Sequence, residues 1–168
     1  MVFIVIFQNI NLSEMSSFSS TFQYVISELN SIQKCNEDDR IIIHDAVRPF
    51  ITKKKIKELL NLSSKYPGLV PGLKVHDTIK KVDDKNYISE SVKRENIWRI
   101  QTPQIFRYEI LMKSFEHALK TKFTGTDESS IVTNAGYKVK IVDGEISNLK
   151  ITTKEDLKIV DFNKLLIS

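Results

Sequence analysis

Three consecutive isoleucines, Ile41–Ile43, restrict the fold of this chain more than any other feature of its sequence. They lie in the stretch RIIIHDAVRPF, and their run is uniformly apolar rather than alternating. Such a run is typical of a strand that is covered on both faces in a parallel sheet. Because the polar residues His44 and Asp45 follow immediately, we predict a buried central strand with polar side chains at its carboxyl end.

Predicted strands and predicted helices alternate along the chain. Apolar runs flanked by turn residues predict strands, whereas apolar residues three and four positions apart predict amphipathic helices. We predict strands at Val2–Phe7, 67–73, 138–144 and 148–152, and helices at 21–32, 52–66, 107–121, 126–136 and 153–166. This alternation indicates an α/β domain with a mainly parallel sheet.

Short polar side chains at the starts of three predicted helices suit the N-cap position, where a side-chain oxygen accepts a backbone N–H. The candidates are Thr52, then Thr126 or Asp127, and finally Thr152 or Thr153. For the last helix, either Thr152 with Glu155 or Thr153 with Asp156 can form a capping box. Gly136 is the expected end of the 126–136 helix.

Residues 74–98 differ from the rest of the chain, because they alternate in polarity, are rich in charge and contain the turn-forming sequence DDKN. This pattern indicates a β-hairpin. We predict that the hairpin projects as an arm, at about residues 74–98, from a single domain that spans residues 1–168.

Composition argues against several classes of protein. The single cysteine, Cys35, cannot form an intrachain disulfide, so we expect a cytoplasmic protein. The net charge of +4 comes from scattered lysines without a basic stripe, which argues against a nucleic-acid partner. The apolar N-terminal run has seven residues, whereas a membrane span needs about 20, so we expect no membrane association.

Asp45 and Arg48 are the first candidates for chemistry, because ligands of open α/β sheets bind beyond the carboxyl ends of the strands. The carboxylate of Asp45 suits Mg²⁺, and the guanidinium of Arg48 suits a phosphate group. The alternative is a surface ion pair between these two residues, and their spacing leaves both interpretations open. The three histidines lie in unrelated contexts, so we expect no zinc site.

Three further residues are candidates for binding an anion. Thr102, in QTPQIF, precedes a proline at a predicted strand-to-helix corner. Thr126, in TDES, lies where the N–H groups of a helix start can bind a phosphate, although a plain N-cap explains it equally well. Lys150, in SNLKIT, lies in a predicted apolar strand, so its charge must reach either water or an anion.

Five motifs occur in a fixed order over roughly residues 40–160: HDAVRPF, DTIKK, RENIWRIQTPQIF, TDESS and VDGEISNLKITTKEDL. In this combination the chain resembles the 2-C-methyl-D-erythritol 4-phosphate cytidylyltransferases of the non-mevalonate isoprenoid pathway. The resemblance implies a Rossmann-like nucleotidyltransferase sheet and a β-arm that forms a homodimer. It also implies a reaction of CTP with a sugar-alcohol phosphate, aided by Mg²⁺, that gives a CDP-alcohol and pyrophosphate.

The same resemblance implies roles for individual residues. Asp45 would contact the nucleotide and its metal ion, Lys150 would approach the reacting phosphates, and Arg48 would help to shape the substrate pocket. These assignments make Asp45 and Lys150 the expected catalytic residues.

Four more residues would bind the phosphate of the alcohol. The resemblance implies that Thr78 and Arg94 lie on the arm and reach the substrate of the partner subunit. Thr102 and Thr126 would complete that phosphate site.

The family pattern also includes an opening strand and a glycine-rich loop, with an arginine and a lysine, that wraps the CTP triphosphate. The 168 residues contain five glycines, none in a G-x-G pattern, so the resemblance implies that this strand and loop are missing. We expect the substrate half and the dimer arm with little or no CTP turnover, since each lost charge contact removes about 2.7–4 kcal/mol.

Two alternatives stay open. The ribitol-5-phosphate cytidylyltransferases share the HDAVRPF, QTPQ and KIT motifs, although DTIKK and KRENIW favour the isoprenoid enzymes. The second alternative is a non-catalytic module that keeps the arm for dimerisation alone.

Overall fold

A computed structural model describes residues 2–7, 35–156 and 158, with the backbone alone for residues 2–7. The helix predicted at 21–32 and most of the helix predicted at 153–166 lie outside these residues. The described elements are β1 (Val2–Phe7), β2 (Arg40–Asp45), α1 (Lys53–Ser63), β3 (Gly68–Lys74), β4 (Ile79–Val82), β5 (Ile88–Val92), β6 (Trp98–Ile100), β7 (Gln104–Arg107), α2 (Tyr108–Thr121), α3 (Glu128–Asn134) and β8 (Val139–Asp143).

Six of the strands form one sheet in the order β1-β2-β7-β3-β6, with β8 on the other edge of β3. The pairs β1–β2 and β3–β8 are parallel, whereas β2–β7, β7–β3 and β3–β6 are antiparallel. The α/β fold is therefore confirmed, but the expectation of a mainly parallel sheet is wrong. The sheet is mixed because β7 runs backwards between two strands that share one direction.

The isoleucine run of β2 is buried on both faces, as its composition predicts. Successive side chains of a strand point to opposite faces. Ile41 and Ile43 pack with Phe115 of α2 and Ile131 of α3, whereas Ile42 packs on the other face with Leu59 of α1. The sheet is thus covered by helices on both sides, and β2 ends between the two layers.

Side-chain caps set the starts of the helices. Thr52 accepts the N–H of Lys55 at 3.0 Å, as predicted. At α3 the capping residue is Asp127 rather than Thr126: its carboxylate accepts the N–H of Ser130 at 2.9 Å, and the hydroxyl of Ser130 binds back to the N–H of Asp127. The structure therefore confirms Thr52 as the predicted N-cap of α1, and of the two candidates for α3 it selects Asp127.

The helix predicted at 153–166 begins with a reciprocal capping box. Thr153 Oγ1 accepts the N–H of Asp156, and Asp156 Oδ2 accepts the N–H of Thr153 at 2.9 Å. Of the two predicted starts, the pair Thr153 and Asp156 forms the box. Gly136 follows α3 with a φ of +88°, a conformation that favours glycine and ends the helix.

Strands β4 and β5 form a separate two-stranded antiparallel sheet, which is the predicted hairpin. Its turn is closed by the N–H of Asn86, which donates to the carbonyl of Asp83 at 3.0 Å. Three apolar side chains of this hairpin are exposed: Val82, Tyr87 and Ile88. The arm therefore presents an apolar surface to solvent in the isolated chain.

Two local predictions are wrong. Residues 148–152 are not a strand, and Ile151 N–H instead donates to the carbonyl of Val47 at 2.8 Å. The corner around Thr102 joins strand β6 to strand β7 rather than a strand to a helix, and the peptide bond between Thr102 and Pro103 is cis. In the part of the chain that the structure describes, no helix is long and apolar enough to cross a bilayer.

Two leucines on α2 give a matched test of the core. Leu111 is fully buried between α2 and the sheet, whereas Leu119 is 54% exposed. We expect Leu111→Ala to lower the free energy of unfolding by about 2–5 kcal/mol, because it removes buried surface and leaves a cavity. Leu119→Ala should change it by no more than about 0.5 kcal/mol. Urea unfolding of both variants measures this, and equal effects would contradict the packing described for α2.

Candidate active site

Asp45 ends β2 and lies between two cations. Its Oδ2 is 3.1 Å from Nζ of Lys150 and 3.5 Å from Nε of Arg48. The Arg48 side chain is 11% exposed, whereas the Lys150 side chain is 47% exposed. These three residues, the Asp45 cluster, hold two positive charges against one negative charge. The excess positive charge favours an anion at this end of the sheet.

Thr102 fixes the backbone at the end of β2. Its Oγ1 accepts the N–H of Asp45 at 2.9 Å and lies 3.0 Å from Nδ1 of His44. On the other side of the imidazole, Nε2 is 3.1 Å from the carbonyl of Arg48, which can only accept. We therefore infer that the Thr102 hydroxyl donates to Nδ1 and that the His44 proton is on Nε2. Burial lowers the pKa of His44, which agrees with a neutral ring.

Gln101 ties the segment that precedes Lys150 to the sheet. Its Nε2 donates to the carbonyl oxygens of Glu145, at 2.9 Å, and Asn148, at 3.1 Å. Its Oε1 accepts the N–H of Glu145 at 3.2 Å. The side chain is buried, so these bonds form away from competing water.

Asn148 adds a second tie between the same segments. Its Nδ2 donates to the carbonyl of Thr102 at 2.8 Å, and its own carbonyl accepts from Nη1 of Arg48 at 2.9 Å. Asn148 is fully buried. The residue thus contacts both the 101–103 corner and one cation of the Asp45 cluster.

Glu128, the first residue of α3, places a second carboxyl group in the field of Asp45. Burial, together with the negative charges of Asp127 and Asp45, raises its pKa to about 7. A carboxylate in the first turn of a helix is normally stabilised by the helix dipole. Here desolvation outweighs that effect, so a large fraction of Glu128 is neutral near pH 7.

The structure brings together four of the predicted site residues: Asp45, Arg48, Thr102 and Lys150. The described contacts do not join Thr126 to this group, and its exposed backbone N–H bonds to Ser130 Oγ at 3.0 Å. Four of the seven predicted site residues therefore lie together, whereas Thr78, Arg94 and Thr126 lie outside this group.

Thr78 and Arg94 lie at the base of the arm. Arg94 Nη1 donates to the carbonyl of His76 at 2.5 Å and lines a cleft of about 450 Å³ together with Lys74 and Trp98. The Lys74 ammonium is 5.5 Å from the centre of the Trp98 ring. Within the described residues, no contact connects this cleft to the Asp45 cluster of the same chain.

Sequence analysis missed four residues of the site: His44, Gln101, Asn148 and Glu128. All four adjoin residues that were identified: His44 precedes Asp45, Gln101 precedes Thr102, Asn148 is two residues before Lys150, and Glu128 follows TD in TDES. The hydrogen-bond partners of Gln101 and Asn148 lie more than 40 residues away in sequence, so no local pattern reveals these contacts.

The residues of the site fit a metal ion that arrives with phosphates. Among the described side chains, no group of three or more His, Cys, Asp or Glu is arranged to hold a metal. Mg²⁺ in nucleotide enzymes is usually bound by one or two carboxylates together with substrate phosphates. Asp45, which is 26% exposed, offers one such carboxylate.

Comparison with known proteins agrees with this architecture. A model of the 2-C-methyl-D-erythritol 4-phosphate cytidylyltransferase family matches residues 19–164. The enzyme of that name from Caldanaerobacter subterraneus is 41% identical over 136 residues, which cover 80% of this chain and 60% of the relative. The enzyme from Thermosipho melanesiensis is 43% identical over 130 residues, which cover 77% of this chain and 56% of the relative.

Solved structures of the same enzyme are also similar. The Francisella tularensis enzyme has a TM-score of 0.79 and 30% identity, over 84% of this chain and 66% of that one. The Thermus thermophilus enzyme has a TM-score of 0.72 and 28% identity, over 82% of this chain and 66% of that one.

The mixed α/β sheet, with its arm and its charged cluster beyond β2, places the chain among the nucleotidyltransferases. Within that class, the chain belongs to the 2-C-methyl-D-erythritol 4-phosphate cytidylyltransferase family. It spans 57–60% of the length of the first curated relatives that it matches.

The partly desolvated carboxyl group of Glu128 gives a stability prediction with a defined sign. Because its pKa is about 7 in the folded chain and about 4.5 when unfolded, its stabilising contribution is complete below pH 4.5 and is lost as the pH rises through 7. We expect Glu128→Gln to match the wild type near pH 4.5 and to be more stable at pH 8. The gain should be on the order of 1 to 3 kcal/mol, at the lower end because the side chain keeps some exposure.

Urea unfolding at pH 4.5, 6 and 8 measures this difference. Glu116→Gln removes the same charge from the exposed face of α2 and controls for the change in net charge. A Glu128→Gln variant that is equally or less stable than the wild type at pH 8 would contradict the described environment of Glu128.

Proposed function

We propose that this chain acts in the transfer of a cytidylyl group from CTP to 2-C-methyl-D-erythritol 4-phosphate, which gives a CDP-alcohol and pyrophosphate. The observation that carries the proposal is the Asp45 cluster, in which a carboxylate and two cations lie at the carboxyl end of β2 in a chain of this family. The relatives in the comparison are named for this alcohol phosphate, which favours it over ribitol phosphate.

The chemistry needs charge and positioning rather than a covalent intermediate. A phosphate oxygen of the alcohol attacks the α-phosphorus of CTP, the bond to the β-phosphate oxygen breaks, and pyrophosphate leaves. Negative charge on the α-phosphate is stabilised by preorganised cations. Lys150 suits this role, because its half-exposed ammonium is held 3.1 Å from Asp45 and remains accessible to a phosphate.

Asp45 would also hold Mg²⁺ together with the phosphates of CTP. The ion would neutralise charge on the triphosphate. Arg48 is more deeply buried than Lys150 and is bonded to the carbonyl of Asn148, so it holds the shape of the pocket. The resemblance implied that Thr102 binds the phosphate of the alcohol, but its hydroxyl is bonded to both Asp45 and His44. We therefore assign Thr102 to holding the end of β2 in place.

We assign the phosphate of the alcohol to Arg94 and Thr78, with Thr126 at the start of α3. Arg94 and Thr78 lie on the arm, away from the Asp45 cluster of their own chain. A homodimer through the arm would bring them to the cluster of the partner subunit. The exposed apolar side chains of the hairpin support this arrangement, since such a surface is normally covered by a partner.

The proposed location of the protein is the cytoplasm.

Binding of the alcohol phosphate tests the assignment without requiring turnover. We expect the chain to bind 2-C-methyl-D-erythritol 4-phosphate in calorimetry and to bind ribitol 5-phosphate more weakly. Arg94→Ala should weaken binding by roughly 10- to 100-fold, because it removes a charge-assisted contact of about 1.5–3 kcal/mol. Lys93→Ala, which removes the neighbouring exposed charge, is the matched control.

Equal losses in the Arg94 and Lys93 variants would reject Arg94 as a specific phosphate ligand. Absence of binding by a folded, dimeric wild type would favour the non-catalytic dimerising module.

The arm makes a separate prediction about assembly. Ile88 is 67% exposed on β5, and Leu119 is 54% exposed on α2. We expect Ile88→Lys to shift the chain from dimer to monomer, because it places a charge in the proposed interface, whereas Leu119→Lys should leave the dimer intact. Sedimentation velocity measures both. A wild-type monomer, or a dimer that Ile88→Lys does not weaken, would contradict the role of the arm.

Low turnover by the 168-residue chain remains a prediction from its sequence, because no glycine-rich phosphate loop occurs in it. Pyrophosphate release with CTP and Mg²⁺, with the two alcohol phosphates offered in parallel, measures this rate. Turnover as fast as that of a full-length relative in the same assay would overturn it.

A further inference from the structure

Lys150 belongs to a segment without regular secondary structure, and its position therefore needs an explanation outside the sheet. Residues 144–153 follow β8 and contain neither a strand nor a helix. A flexible lysine loses considerable conformational entropy when it is held in one place. The contacts that fix this segment therefore decide whether the ammonium of Lys150 is preorganised.

The side chain of Gln101 makes three of these contacts. Its amide group makes hydrogen bonds to backbone groups of Glu145 and Asn148, and its own N–H donates to the carbonyl of Pro71 in β3 at 2.8 Å. A Cβ atom added to Gly144 would lie 2.2 Å from Gln101 Oε1. The segment therefore approaches Gln101 so closely that a side chain at Gly144 would displace the Gln101 amide from its hydrogen bonds.

Asn148 links the Gln101 contacts to Arg48 and lies in the segment that carries Lys150. Its carbonyl accepts from Gln101 Nε2 and from Arg48 Nη1, while its side chain donates to the carbonyl of Thr102. Lys150 is two residues further along the chain, and the N–H of Ile151 donates to the carbonyl of Val47. The segment is thus fixed at Asn148, two residues before Lys150, and at Ile151, immediately after it.

We propose that Gln101 and Asn148 are positioning residues, which hold the 144–151 segment against the 101–103 corner and so set Arg48 and Lys150 on two sides of Asp45. Neither residue needs to touch a substrate for this role. The inference rests on the proposed function for its catalytic meaning, but the tie itself is a property of the chain without ligand. It is therefore testable even if the proposed reaction is wrong.

Gln101→Leu tests the tie, because leucine is similar in size but cannot bond to Glu145 or Asn148. Gln104→Leu is the matched control: Gln104 is also buried, but its amide bonds to Asp127 and Ser129 at the start of α3. We expect Gln101→Leu to speed amide hydrogen exchange across residues 145–151 by at least about 10-fold, which corresponds to about 1.4 kcal/mol. Exchange in β2 and β7 should stay close to the wild type.

The guanidinium of Arg48 gives a spectroscopic signature of the same tie. In the wild type the Arg48 Nε–Hε resonance, assigned by its absence in Arg48→Lys, reports on a side chain fixed to the carbonyl of Asn148. We expect this resonance to shift or broaden in Gln101→Leu and to be unchanged in Gln104→Leu. If Gln101→Leu does not fold, Gln101→Glu keeps the acceptor for Glu145 N–H, loses the donors, and is measured in its place.

Binding of CTP with Mg²⁺ then tests whether the tie acts through the cations. We expect Gln101→Leu to weaken CTP binding by about 10-fold in the wild-type background and by clearly less in the Lys150→Ala background, since the two changes are coupled. Equal losses in both backgrounds would show that Gln101 does not act through Lys150.

The remaining outcomes are also decisive. Unchanged exchange of residues 145–151 and an unchanged Arg48 resonance in Gln101→Leu would overturn the proposal. It would also be overturned if Gln104→Leu sped this exchange and altered the Arg48 resonance as much as Gln101→Leu does. If the wild type does not bind CTP but the exchange and resonance results appear as expected, the positioning is supported and the proposed function is what fails.

Discussion

The hydrogen bond from the Asp45 N–H to the Thr102 hydroxyl is the contact on which the rest of the site depends. It joins the end of β2 to the corner between β6 and β7, two parts of the chain that are 57 residues apart. The same hydroxyl orients His44, and the imidazole in turn holds the carbonyl of Arg48. The carbonyl of Thr102 also accepts a hydrogen bond from the side chain of Asn148. The short corner between β6 and β7 therefore helps to position all three members of the Asp45 cluster.

The electrostatics of the site follow from this arrangement. Two cations share a single carboxylate, so the cluster keeps a positive excess that suits phosphate oxygens. Glu128 would cancel that excess if its carboxyl group were fully ionised, but burial and the nearby carboxylates raise its pKa to about 7. The packing of α3 against the sheet therefore affects the charge of the site as well as the stability of the fold.

The sequence revealed those features that depend on local patterns. A uniform isoleucine run predicted a strand buried on both faces, and Thr52 marked the start of α1, because burial and capping act within a few residues. The direction of β7 was not predictable in this way, since the composition of a short apolar strand does not encode whether its neighbours are parallel. The prediction of a strand at 148–152 was wrong because backbone groups of this segment bond to the side chains of Arg48 and Gln101 and to the carbonyl of Val47.

The same distinction between local patterns and long-range contacts applies to the residues of the site. Asp45, Arg48 and Lys150 have charged side chains that suit metal or phosphate, whereas the neutral amides of Gln101 and Asn148 gain their importance only from contacts made across more than 40 residues. The most direct test is a crystal structure of the chain with the CDP-alcohol product and Mg²⁺. We expect the product phosphate that comes from CTP within hydrogen-bonding distance of Lys150, the metal at Asp45, and the product phosphate that comes from the alcohol at Arg94 of the partner subunit. Product bound elsewhere, with the Asp45 cluster empty at saturating product, would contradict it.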